Sequence, residues 1–60
     1  MKALVVYYWV RTGDRGIDNR FVTFNAENPS RDEIKDLLNS IRERGKYNSV
    51  RIVNIIRLHD

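Results

Sequence analysis

The chain has 60 residues, no cysteine, and 11 Lys and Arg against 8 Asp and Glu, a formal charge of +3. So short a chain leaves room for one domain over residues 1–60, and it buries only about 60% of the surface its unfolded form exposes. Disulfides are excluded, and a single histidine, His59 beside the C-terminus, leaves no ordinary zinc site.

Residues 3–11 open the chain with an eight-residue run in which every side chain is apolar or aromatic, Ala3 to Val10. That pattern predicts a strand. Alternate side chains of a strand point to opposite faces. Leu4, Val6, Tyr8 and Val10 share one face; Ala3, Val5, Tyr7 and Trp9 share the other. Both faces therefore need cover. The run is far too short for a membrane span of about 20 residues. It also lacks the small-residue cleavage site of a signal peptide. A cytoplasmic location is expected, in keeping with the absence of cysteine, and no membrane contact is expected.

Residues 12–19 are rich in Gly, Asp and Asn, which suit turns. They predict a long hairpin loop before a short second strand, Arg20 to Phe24, which is β-branched and aromatic. Which of Phe21 and Phe24 faces the core depends on the hairpin register. Asn25 to Pro29 reads as a connector.

Ser30-Arg-Asp-Glu33 matches a capping box, in which Ser30 accepts from the Glu33 amide and Glu33 reaches back to the Ser30 amide. Ile34, Leu37, Leu38 and Ile41 then recur at i, i+3, i+4 and i+7, the stripe of an amphipathic helix. Arg42 and Arg44 suit its negative end, and Gly45 suits the C′ stop. The spacing predicts a helix over 31–44. Residues 50–58 predict a third strand, with Val50, Ile52, Ile56 and Leu58 on one face and Arg51, Val53, Ile55 and Arg57 on the other.

The expected fold is α+β, with order ββαβ. Its three-stranded sheet is mainly antiparallel, strand one is central, and one helix packs on one face. The helix stripe is expected on the aliphatic face of Leu4, Val6, Tyr8 and Val10. Val5, Tyr7, Trp9, Val53 and Ile55 would then form an open apolar face rimmed by Arg51 and Arg57. Large exposed apolar patches usually bind something, and Tyr, Trp and Arg dominate interface hot spots. Oligomerisation is also the common support left to a small fold without disulfide or metal. These seven residues are the candidate interface of a homo-oligomer, with a dimer favoured. The alternative is a nucleic-acid-binding module that uses Arg11, Arg15 and Arg20 around the hairpin, with sheet aromatics stacking on bases. The mild positive charge permits that reading without requiring it.

Enzyme activity is not expected. There is no cysteine, and no serine has an activating base in its sequence context. No paired carboxylates mark a cleft, and no cofactor is implied. The Gly13–Gly16 loop lacks the Lys-Ser/Thr of a phosphate-binding loop.

The Met-Lys-apolar-aromatic first strand, polar hairpin, capped helix and apolar last strand together resemble small bacteriophage and prophage proteins of ββαβ type. The resemblance spans the chain and implies a protein that acts by binding, including binding to a host protein.

Overall fold

The computed structural model describes residues 1–25 and 27–59; position 26 of the expected connector lies outside them. It contains strands β1 (Lys2–Arg11) and β2 (Asp14–Thr23), helix α1 (Arg31–Gly45) and strand β3 (Ser49–Arg57). The sheet order is β2-β1-β3 with both pairings antiparallel. The expected ββαβ fold with a central first strand is what the chain adopts.

The hairpin is tighter than its composition suggests. The register runs without interruption from Lys2 opposite Thr23 to Arg11 opposite Asp14. Only Thr12 and Gly13 are left to turn the chain. Gly13 takes φ 78, a conformation that costs a glycine little. The polar segment 14–19, expected as loop, is strand instead. Ten residues of β1 offer a complete ladder, and pairing overrides the turn preference of Asp, Asn and Gly.

The helix begins where expected. Ser30 Oγ accepts from the Glu33 amide at 3.2 Å. The return half of the box is diverted, because Glu33 Oε2 accepts from the Asn25 amide at 3.3 Å and so ties the connector to the first turn. The helix end also differs from expectation. Lys46, not Gly45, is the left-handed residue, with φ 54. The Tyr47 amide donates back to the Arg42 carbonyl at 2.9 Å. Gly45 serves close approach instead, since the Tyr47 ring lies where its Cβ would be.

The largest correction concerns the covered face. Ala3 and Val5 are buried to within 1%, and Phe24 is buried with them. Ile34 and Leu37 of the helix, with Met1, Val22, Ile52 and Ile55, pack around that cluster. The helix therefore covers the face of Ala3, Val5 and Tyr7, and leaves Leu4, Val6, Tyr8 and Val10 open.

A bulge in β3 supplies the reason. Val6 is opposite Asn54 while Tyr7 is opposite Ile52, so Val53 has no partner. One extra residue reverses the alternation of everything beyond it. Ile55 on one side of the bulge and Ile52 and Val50 on the other all reach the helix side. A regular strand could not deliver all three. Phe24 closes the end of the cluster beside Met1.

Beyond the helix, Trp9 continues the same face. Its ring stacks on Tyr47 with centroids 4.9 Å apart and planes 19° from parallel. Arg11 lies over Trp9 at 5.3 Å, an arrangement that favours the cation. On the β2 side the indole rests on Gly16, opposite it in the ladder. A Cβ at position 16 would sit 2.8 Å from Trp9 Cζ2. Gly16→Ala should therefore lift the indole and cost about 1–3 kcal/mol, the usual range for overpacking. Thermal unfolding measures the loss, and a red shift of Trp9 emission reports the lifted ring.

Candidate interaction surface

The ladder fixes what lies on the uncovered face. Leu4 is flanked by Phe21 on β2 and Ile56 on β3. Val6 is flanked by Asn19 and Asn54, and Tyr8 by Ile17 and Arg51. Among these, Phe21 is 74% exposed, Ile17 67% and Ile56 43%. Leu4, Val6, Tyr8 and Val10 are half-buried by their neighbours. The result is an apolar band across three strands, interrupted at its middle by the two asparagines. Arg51 lies over the Tyr8 ring at 5.9 Å.

The seven residues expected at an open interface are distributed differently. Val5 and Tyr7 are buried, and Ile55 is half-buried against the core. Trp9 is half-buried under Tyr47. Val53 is the bulged residue and is 54% exposed. Arg57 pairs with Glu27 beside the helix-covered face. Arg51 alone lies on the open face. The expected patch was assigned to the side that the helix occupies, so Val5, Tyr7 and Ile55 belong to the monomer interior, while Val53 stands exposed at the bulge. Ile17 and Phe21 were not among the expected interface residues. Ile17 fell in the presumed loop, and the face of Phe21 depended on a register that only the structure supplies.

The three hairpin arginines do not converge. Arg11 covers the Trp9–Tyr47 stack and pairs with Asp14 at 3.5 Å. Arg15 stands opposite Val10 on the open face. Arg20 stands opposite Val5 on the helix side.

Tyr7 has a shifted acidity. Burial pushes its pKa upward, and the nearby Asp18 carboxylate and Tyr47 add to the shift, while Arg20 opposes it. The neutral phenol is thus favoured in the folded chain. Its contribution to stability is fully present below the ordinary tyrosine value of about 10. That contribution is lost as pH rises through the folded value, because the unfolded chain ionises first. Thermal midpoints measured from pH 8 to 11 should fall at the alkaline end, and Tyr7→Phe should flatten that fall.

Among the described residues no cluster of three or more His, Cys, Asp or Glu is placed to hold a metal. No helix among them is long and apolar enough to cross a membrane. No family model, curated protein or solved structure matches the chain.

Proposed function

We propose that this chain is a small non-enzymatic interaction module that self-associates through the open face of its sheet. The observation that carries the reading is the apolar band of Leu4, Val6, Tyr8, Ile17, Phe21 and Ile56. Monomeric proteins rarely leave so many large apolar side chains together on one face, and here Ile17, Phe21 and Ile56 are all exposed. The domain is also short of interior. Only Ala3, Val5, Tyr7, Phe24 and Ile41 are buried hydrophobics among the described residues. A second copy laid on the band would give the sheet a second apolar layer, as in packed sheets about 10 Å apart. Tyr8 with Arg51 is the natural anchor, since both types are enriched where binding energy concentrates. The cytoplasm is the proposed setting, motivated by the lack of cysteine.

Sedimentation equilibrium across micromolar concentrations tests the reading. A mass above that of one chain, rising with concentration, supports it. A monomer at every concentration would sink it. A pull-down partner bound in a way that Tyr8 substitution abolishes would then point to a different protein on the same face. Salt-sensitive binding of oligonucleotides would point to the arginine-based alternative.

A further inference from the structure

The outer edge of β2 is unpaired in the sheet and lies apart from the open face. The Phe24 amide donates to the Met1 carbonyl at 2.8 Å, and the Met1 amino group donates to the Phe24 carbonyl at 2.9 Å. These two form a hydrogen-bonded pair. Such pairs alternate along an antiparallel ladder, so Val22, Arg20, Asp18, Gly16 and Asp14 turn their backbone groups toward β1. Arg15, Ile17, Asn19, Phe21 and Thr23 turn theirs outward. Two short contacts agree with this assignment. Asp14 Oδ1 accepts from the Arg15 amide and Asp18 Oδ1 from the Asn19 amide, each at 2.8 Å. The edge is a ten-residue strand with no bulge, whereas the opposite edge, β3, is broken at Val53. Native sheets commonly blunt their edges with such breaks.

We infer that β2 pairs antiparallel with β2 of a second copy, centred on Asn19, to give a continuous six-stranded sheet. Two-fold symmetry makes the contact self-complementary. It therefore pairs residues equally spaced on either side of a central one. With Asn19 at the centre, Ile17 meets the partner's Phe21, and Asp18 meets the partner's Arg20. Each pairing occurs twice. Neighbouring registers fail on charge or length. Centring on Asp18 or Arg20 sets like charges against each other at the axis. Centring on Ile17 or Phe21 leaves the other hydrophobic residue beyond the end of the ladder. Among the described residues neither Asp18 nor Arg20 has an ion-pair partner within the chain, so both remain available. Association exchanges one contact for another. The Asn19 amide passes from Asp18 to the partner's Asn19 carbonyl, and the freed carboxylate meets the partner's Arg20. The pairing also joins the apolar bands of the two copies into one face.

Charge exchange tests the pairing in chains carrying Tyr8→Glu, which disables the open face but not the edge. Native mass spectrometry measures association, and circular dichroism checks that each variant is folded. The Tyr8→Glu chain should still form dimers. Adding Asp18→Arg, or separately Arg20→Asp, should weaken them about tenfold or more, since like charges directly opposite repel. Mixing the two charge variants should restore association as a heterodimer, because each replaced residue then meets its opposite. A monomeric Tyr8→Glu chain, charge variants that dimerise as tightly as their parent, or a mixture that stays apart would each overturn the pairing. An unchanged oligomer in Tyr8→Glu combined with rescue on mixing would overturn the open-face reading instead and leave the edge standing.

Discussion

Tyr8→Glu is expected to weaken association through the open face by about 100-fold or more while leaving the monomer folded. Tyr8 sits at the middle strand of the apolar band, between Ile17 and Arg51 in the ladder. Removing a central aromatic anchor typically costs 2 kcal/mol or more, and each 1.4 kcal/mol is a factor of ten. Glutamate adds a second penalty, because a carboxylate confined between two sheets loses its water. In the free monomer the same carboxylate stays at the surface beside Arg51, where it is well tolerated. The asymmetry makes the test sharp, with a large change in association and a small change in monomer stability. Sedimentation across a concentration series reads the first as the loss of assemblies larger than the edge-paired dimer, and unfolding at low micromolar concentration reads the second. Equal loss of both would mean that Tyr8 supports the fold rather than the contact.

Ile41→Ala is expected to do the reverse. Ile41 is 2% exposed and is one of the two largest fully buried side chains. It ends the helix stripe that begins at Ile34. Truncating a buried isoleucine to alanine costs about 2–5 kcal/mol through lost transfer energy and the cavity left behind. A domain of 60–100 residues shifts its midpoint by roughly 4–8 °C per kcal/mol. The expected fall is therefore tens of degrees at the upper end. For so small a chain this approaches the whole stability. Denaturant unfolding followed by Trp9 emission measures it. Ile56→Ala is the control. Ile56 is 43% exposed on the open face, and its truncation should matter little in the monomer. If Ile41→Ala were as mild, the helix could not be the main cover of the buried face.

These two substitutions separate two apolar surfaces that share one strand. β1 is central, and each of its faces meets a different kind of neighbour. On one face the cover comes from the same chain: the helix stripe, Phe24 and Tyr47. On the other no element of the described chain lies above Leu4, Val6 and Tyr8. Association through that face would supply what the short chain lacks.

Local signals carried far in this sequence. The capping box placed the helix start, because Ser30 is one of the few residue types that satisfy a free amide there. The i, i+3, i+4, i+7 stripe identified the helix and its buried side, ending at the well-buried Ile41. An uninterrupted apolar run identified β1 as the central strand, since only a central strand loses water on both sides. Gly45 was correctly singled out at the helix end but for the wrong cause. It is small to admit the Tyr47 ring, and a contact two residues away in sequence but across a turn in space is invisible to a propensity argument.

Sequence alone therefore determined the elements, their order and the existence of one face too many. Tertiary structure decided which face that is. Both faces of β1 are apolar, so alternation gives no preference between them. The choice rests on a bulge at Val53, which brings Val50, Ile52 and Ile55 to one side, and a period-two pattern has no means of announcing an inserted residue. It rests equally on Phe24 and Tyr47, aromatic groups outside the regular elements that fill the ends of that side. The polar segment 14–19 became strand for a related reason. Pairing with β1 supplied hydrogen bonds that its own residue preferences did not predict, and in doing so exposed Ile17 and the whole edge of β2.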